Sequence, residues 1–200
     1  VPRPSVMLMD EPFSGLDVQL RETMQEETLS LLRETRATGL IVTHHPTEAL
    51  RMADRIAVMR DGRLIQAGEA EELYRSPADL FVARLFSEIN EVPARVTGGR
   101  FHTPIGSFPA FGFMEGEQAI VCVRRRDIKF VKPGEGRAGR VLHSRFLGDL
   151  AHLEISVQGL DQPISVLVRE HDALERGREV GISVDPGRAL IFPAEGAETS

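Results

Sequence analysis

Cysteine and long apolar runs are scarce in this sequence of 200 residues. Its one cysteine, Cys122, cannot form a disulfide within the chain, which is compatible with a reducing compartment. No apolar run reaches the roughly 18 residues that a membrane-spanning helix needs, so we expect no helix that crosses a bilayer. With 42% hydrophobic and 27% charged residues, the composition is that of a globular chain and excludes a disordered, collagen-like or coiled-coil chain.

Basic charge is not in excess in either half of the chain. The net charge is −6, with 24 Lys and Arg against 30 Asp and Glu. Residues 1–90 hold 10 basic and 15 acidic residues, and residues 91–200 hold 14 and 15. A surface that binds nucleic acid needs clustered positive charge, so we expect no nucleic acid partner.

The first half of the chain reads as a strand, a helix and a strand. The unbroken apolar run at residues 5–9 predicts a strand that is buried on both faces of a parallel sheet. Asp17 is a good N-cap for the long helical pattern that follows, and Gly39 is a plausible stop for that helix. Residues 40–43 then predict a second strand, which the helical crossover makes parallel to the first.

Polar residues follow both of these strands. Asp10 and Glu11 end the first apolar run, and His44 ends the second. The carboxyl ends of parallel strands lie at the same edge of a sheet, where ligands bind in open α/β sheets. Because neighbouring strands are about 4.8 Å apart, we expect these three side chains to address one small ligand.

The rest of the chain changes from mixed to β character near Asn90. Before it, a short helix, a strand, a hairpin turn at Asp61-Gly62 and two short helices are indicated. After it, short β runs broken by Gly and Pro predict a small barrel or sandwich. These runs are residues 119–123, 139–143, 151–157, 164–168 and 180–184.

The order and spacing of the N-terminal motifs resemble the second half of an ABC-type ATPase domain. Residues 6–11 are similar to its Walker B strand, residues 14–17 (Ser-Gly-Leu-Asp) to its D-loop, and His44 to its switch histidine. The resemblance implies that residues 1–88 are the C-terminal part of an α/β P-loop NTPase parallel sheet.

The second part of the chain resembles the transport-associated OB-type domain (TOBE) that follows some importer ATPases. The likeness is carried by residues 123–128, 146–149 and 185–188. It implies that residues 92–194 form an all-β, OB-like barrel. A single barrel of this length is similar to the C-terminal segment of ferric-iron or polyamine importers.

The ABC resemblance implies a role for each motif residue. Glu11 would be the general base or water-positioning residue, His44 would bind the γ-phosphate, and Asp10 would hold Mg²⁺ through water. The D-loop residues assigned to coupling across a dimer are Ser14, Gly15 and Asp17. His45 stands where the family usually has Asp, and we interpret it as a change that lowers the local negative charge.

The resemblance also implies cofactors and partners. These are ATP and Mg²⁺, a second ATPase subunit in a homodimer, membrane permease subunits and, indirectly, a periplasmic solute-binding protein. The implied location is peripheral, on the cytoplasmic face of the inner membrane. The implied function is ATP hydrolysis that drives solute uptake by a bacterial ABC importer.

Three parts of the family pattern do not occur in these 200 residues: Walker A, the Q-loop and the Leu-Ser-Gly-Gly-Gln signature. Residues 134–140 come near a P-loop, but Arg140 and Val141 stand where Lys and Ser/Thr are required. We therefore expect a C-terminal part of a longer polypeptide, with residues 1–4 following the signature helix, and negligible ATPase activity alone. A non-transport ABC ATPase and a catalytically silent regulatory or binding module remain alternatives.

Overall fold

The computed structural model describes residues 5–194, so residues 1–4 and 195–200 lie outside the described part. The chain divides into two compact units, and the division falls between Phe86 and Ser87. The N-terminal unit contains β1 (Val6–Asp10), α1 (Val18–Thr35), β2 (Thr38–Val42), α2 (Pro46–Met52), β3 (Ile56–Arg60), β4 (Arg63–Gly68), α3 (Ala70–Arg75) and α4 (Leu80–Phe86). No helix among the described residues is both long enough and apolar enough to span a bilayer.

Strands β1 and β2 pair in parallel through the crossover helix α1, as the sequence predicts. Val6 lies opposite Thr38, and Asp10 lies opposite Val42. Helix α1 begins where predicted, because the carboxylate of Asp17 accepts a hydrogen bond from the N–H of Leu20 at 3.0 Å. The two strands therefore end side by side at one edge.

The end of α1 corrects one prediction. The helix stops at Thr35, and Arg36 takes the left-handed conformation at φ 53°. Gly39 does not end the helix but lies inside β2, opposite Met7. A Cβ at Gly39 would come within 2.9 Å of Cδ1 of Leu32, so the glycine makes room for α1 on the sheet.

The prediction that the first strand is buried on both faces is wrong for the described chain. The sheet has only two strands, β1 and β2. Val6 is 54% exposed and Leu8 is 73% exposed, and on β2 Leu40 and Val42 are exposed as well. With two strands and one crossover helix, only one face of the sheet is covered.

The C-terminal unit is all-β apart from two short 3₁₀ turns, at residues 170–172 and 186–188. Its strands are β5 (Ile89–Thr97), β6 (Arg100–Thr103), β7 (Gly106–Pro109), β8 (Gln118–Arg124), β9 (Ile128–Val131), β10 (Arg137–Phe146), β11 (Leu150–Val157), β12 (Ile164–Arg169), β13 (Glu179–Val184) and β14 (Leu190–Pro193). Strand β5 begins at Ile89, three residues before the predicted start of the β domain at residue 92. Residues 134–140 lead into β10 and not into a helix.

These ten strands form two five-stranded sheets around one core. The orders are β12-β11-β10-β13-β9 and β14-β8-β5-β6-β7. Side chains from both sheets are fully buried, among them Phe101, Val121, Leu153 and Ile182. Two segments that carry the TOBE resemblance also meet, because Arg188 donates a hydrogen bond to the carboxylate of Asp127 at 3.3 Å.

A buried asparagine ties the two sheets together. Asn90, on β5, is 8% exposed. Its amide nitrogen donates to the carbonyl of Val123 at 3.2 Å and to that of Ser165, on β12, at 2.8 Å. Its amide oxygen accepts from the N–H of Ser165 at 2.6 Å. One side chain thus closes three hydrogen bonds inside the core, as burial of a polar group requires.

Candidate functional site

Glu11 and His44 meet at the carboxyl ends of β1 and β2. The N–H of His44 donates to Oε1 of Glu11 at 2.9 Å, and Nδ1 of His44 lies 2.7 Å from the same oxygen. The two residues are 33 positions apart in the chain, and the parallel pairing brings them together. The expected meeting of an acidic and an imidazole side chain at this sheet edge is confirmed.

The backbone at Glu11 is strained. Glu11 has φ 46°, a left-handed conformation that costs a residue with a Cβ about 1–2 kcal/mol. The surrounding turn enforces it: the N–H of Glu11 donates to the carbonyl of Val42 at 2.9 Å, and its own carbonyl accepts from both the N–H and the hydroxyl of Ser14. Strain of this kind is found where a side chain has to be aimed at a site.

The carboxylate of Glu11 has one oxygen with hydrogen-bond partners and one without. The hydrogen bond from the His44 side chain lowers the pKa of Glu11, although burial opposes the shift, so the group is ionised at neutral pH. Oε2 is buried and has no hydrogen-bond partner among the described residues. Because Oε1 and Nδ1 are only 2.7 Å apart, no water fits between them. A water that binds this carboxylate therefore has to use Oε2, and the Glu11 side chain has to turn to expose that atom.

Asp10 is placed differently from its neighbour. It is the last residue of β1, is exposed, and lies opposite Val42. No described residue forms a hydrogen bond or ion pair with its carboxylate. An exposed, unpaired carboxylate fits a hydrated Mg²⁺, which keeps several of its waters and takes few direct protein ligands.

The predicted D-loop residues stabilise the turn between β1 and α1 through local contacts. The hydroxyl of Ser14 donates to the carbonyl of Glu11 at 2.9 Å, and the carboxylate of Asp17 caps α1. Gly15 has φ 79°, which favours glycine, and nothing lies within 4 Å of the position of a Cβ there. Phe13, 3% exposed, anchors the turn.

Sequence reasoning missed a polar network that joins this turn to the end of β2. Glu48, in the first turn of α2, is 5% exposed and accepts a hydrogen bond from the hydroxyl of Thr43 at 2.8 Å. That hydroxyl accepts in turn from the N–H of His45 at 3.1 Å. Nε of Arg21 lies 3.8 Å from Glu48, and its Nη2 donates to the carbonyl of Leu16 at 3.0 Å. No periodic pattern in the sequence indicates these residues. The one signal available is the glutamate, Glu48, within a short helix.

His45 adds a second imidazole to the corner. Its ring centroid is 4.0 Å from that of His44, with 40° between the planes. Glu11, His44 and His45 each offer one potential metal-ligand atom, and these atoms lie within 4.8 Å of one another. The corner therefore combines one carboxylate and two imidazoles.

Comparison with known proteins gives a family match in the C-terminal unit. The family model described as TOBE domain matches residues 117–192, from the residue before β8 to the next-to-last residue of β14. Among solved structures, the cytoplasmic molybdate-binding protein ModG with molybdate bound is similar at a TM-score of 0.40 and 13% identity, covering 54% of this chain and 89% of that one.

Curated relatives match nearly the whole chain. The spermidine/putrescine import ATP-binding protein PotA of Mesorhizobium japonicum is 35% identical over 206 residues, covering 96% of this chain and 56% of that protein. The Fe(3+) ions import ATP-binding protein FbpC 1 of Rhodococcus jostii is 36% identical, with the same two coverages. The sulfate/thiosulfate import ATP-binding protein CysA of Bradyrhizobium diazoefficiens is 34% identical, covering 94% of this chain and 55% of that protein.

The predicted resemblance is confirmed by these matches. The chain is similar to the ATP-binding subunits of ABC importers, and residues 117–192, within its all-β C-terminal unit, match a TOBE domain. The chain spans little more than half the length of the curated relatives it matches.

Proposed function

We propose that this chain is part of an ATP-binding and ATP-hydrolysing subunit of a bacterial ABC importer. Residues up to Phe86 are the C-terminal half of its ATPase domain, with β1 and β2 belonging to a P-loop NTPase parallel sheet. The observation that carries the proposal is the contact between Glu11 and His44 at the carboxyl edge of that strand pair. It is supported by relatives named as import ATP-binding proteins over 96% of the chain.

Glu11 holds the attacking water in this proposal. Its pKa is lowered by His44, so the carboxylate is ionised, and it accepts a hydrogen bond from water on the unpaired oxygen, Oε2, once the side chain turns to expose that atom. The ionised carboxylate orients the water and takes up its proton as the water attacks the phosphate. Assistance of this kind is worth roughly 10²–10⁴ in rate.

His44 contacts the terminal phosphate. Glu11 occupies Nδ1, and the side chain is 67% exposed, so Nε2 is the nitrogen that reaches a phosphate oxygen. It donates there when the ring is doubly protonated, and a donor aimed at developing negative charge stabilises the transition state. The carboxylate of Glu11 keeps the ring in position through one hydrogen bond with Nδ1 and another with the backbone N–H of His44.

Asp10 holds Mg²⁺ through a water molecule, and the ion neutralises charge on the phosphates when it is bound. The amide cradle for those phosphates requires a Gly-rich loop that opens a helix, and this sequence contains no such pattern. We assign that cradle to a segment of the subunit outside these 200 residues. The chain alone should therefore hydrolyse ATP negligibly.

The partners follow from the same proposal. The turn with Ser14, Gly15 and Asp17 faces a second ATPase subunit in a homodimer, and membrane permease subunits dock on that dimer. The protein is peripheral, on the cytoplasmic face of the inner membrane. Ferric iron or a polyamine is the transported solute, a choice supported by relatives named for Fe(3+) and spermidine/putrescine import, although one is named for sulfate/thiosulfate.

The test uses the subunit extended to the length of its relatives and changes Glu11→Gln. The amide keeps the shape of the side chain but cannot accept a proton, so ATP should stay bound while hydrolysis falls by about 10²-fold or more. Glu22→Gln is the matched control, because Glu22 is an exposed glutamate on α1 whose one ion pair within residues 5–194 is with Arg51. Equal hydrolysis by the two variants would contradict the role of Glu11.

A second measurement separates the alternatives. Co-purification of the extended subunit with a membrane permease supports the importer, whereas an active ATPase without such a partner supports a non-transport ABC protein. A silent regulatory module predicts no hydrolysis in the unchanged protein and no effect of Glu11→Gln.

A further inference from the structure

We propose that Glu11, His44 and His45 form a binding site for a borderline-soft divalent cation of the Zn²⁺ class. Each residue offers one ligand atom, and these atoms lie within 4.8 Å of one another. One carboxylate and two imidazoles are a donor set that Zn²⁺ accepts with an open fourth position. The site would regulate the corner to which the proposed function assigns hydrolysis, so its functional consequence rests on that proposal.

Hydrogen bonds fix the backbone of both histidines. The N–H of His44 donates to Glu11 at 2.9 Å, and the N–H of His45 donates to the hydroxyl of Thr43 at 3.1 Å. The carbonyl of His45 accepts from the N–H of Glu48 at 3.0 Å, at the start of α2. Little backbone order therefore has to be gained on binding, which favours affinity.

The distances require only side-chain rotation. A tetrahedral zinc ion with ligands near 2.1 Å needs ligand atoms about 3.4 Å apart. Nδ1 of His44 and Oε1 of Glu11 already lie 2.7 Å apart, and a bound cation would replace the hydrogen bond between them, which lets the 67% exposed imidazole turn. The second oxygen of Glu11 is buried and has no partner among the described residues, so rotation of the carboxylate toward the ion breaks no hydrogen bond of that oxygen.

The donor set discriminates between cations. Imidazole nitrogen suits Zn²⁺, Cu²⁺ and Ni²⁺, whereas Mg²⁺ prefers oxygen and retains its waters. The site is therefore distinct in chemistry from the magnesium contact proposed at Asp10. A carboxylate ligand contributes one negative charge against the two positive charges of the cation.

Occupation of the site would stop hydrolysis. The cation would take the carboxylate of Glu11 and the imidazole of His44, the two groups proposed to hold the water and the terminal phosphate. ATP binding does not depend on those atoms alone and should persist. His45 supplies the second nitrogen, so it is the residue on which this inhibition depends.

The test is a calorimetric titration of the 200-residue chain with Zn²⁺, repeated with Co²⁺ and read by its visible absorption. We expect one saturable site, at least about tenfold weaker in His45→Ala, and unchanged in His171→Ala. His171 is an exposed control histidine that lies beside Asp172 and outside the cluster. Absence of a saturable site, or equal affinity in His45→Ala, would overturn the proposal.

Two further measurements keep the outcome decisive. Far-UV circular dichroism checks that His45→Ala folds, and His45→Gln replaces it if it does not. In the extended subunit, inhibition by Zn²⁺ is expressed relative to the ATPase rate of each variant without Zn²⁺. In His45→Ala, the inhibition should weaken by the same factor as the affinity for Zn²⁺. Zinc binding is measured without ATP, so a subunit that does not hydrolyse ATP would refute the proposed function and leave the binding result standing.

Discussion

Replacement of Asn90 by alanine should strongly destabilise the C-terminal unit. The change removes three hydrogen bonds and leaves the N–H and carbonyl of Ser165 without their partner. At about 0.5–1.5 kcal/mol net for each bond, and more for a buried group left unsatisfied, we expect a loss of about 2–4 kcal/mol. For a unit of this size, that loss lowers the melting temperature by roughly 10–20 °C.

Thermal and urea unfolding of the chain, followed by far-UV circular dichroism, measures this loss; the sequence has no tryptophan to report by fluorescence. Ser144→Ala, at an exposed position on β10, is the control and should stay within about 0.5 kcal/mol of the unchanged chain. Asn90→Asp keeps the shape but cannot donate to the carbonyls of Val123 and Ser165, so it should destabilise at least as much. A loss below about 0.5 kcal/mol for Asn90→Ala would refute the reasoning.

Two other predictions concern the same unit. Burial lowers the pKa of His152 below its ordinary 6.5, so the unfolded chain takes up a proton before the folded one does. The contribution of His152 to stability should therefore fall as pH drops from 6.5 to the lowered pKa and level off below it. His152→Gln should remove that step from a plot of melting temperature against pH. Identical profiles for the variant and the unchanged chain would contradict the assignment. Gly181→Ala would place a Cβ 2.0 Å from the backbone oxygen of Glu135, so the strand must shift. We expect a cost of about 1–3 kcal/mol or more in urea unfolding, whereas Gly187→Ala, whose Cβ meets only ordinary contacts, should behave like the unchanged chain.

The parts of the fold that were predictable rest on local signals. Asp17 marks the start of α1 because a short acidic side chain can accept from the first turn of a helix. The meeting of Glu11 and His44 follows from chain order, since a helical crossover makes two strands parallel and aligns their carboxyl ends. The hairpin turn at Asp61-Gly62 follows from residues that tolerate positive φ, here 50° and 74°.

The parts that were missed depend on contacts between distant residues. Asn90 and Ser165 are 75 positions apart, and no pattern around either residue indicates the other. The same holds for Arg21 and Glu48, which meet only after α1 and α2 have packed. Gly39 suggested a helix end because glycine is common there, yet packing against Leu32 is what requires it.

At Glu11, the residue type that the backbone conformation favours differs from the one that the site needs. Local conformation alone prefers glycine there, and a carboxylate that aims at the His44 imidazole needs a side chain. A chain released from selection for that carboxylate would gain stability by drifting to glycine or asparagine. An acidic residue at a position whose backbone favours glycine thus points to a use for its carboxylate, without any measurement of turnover.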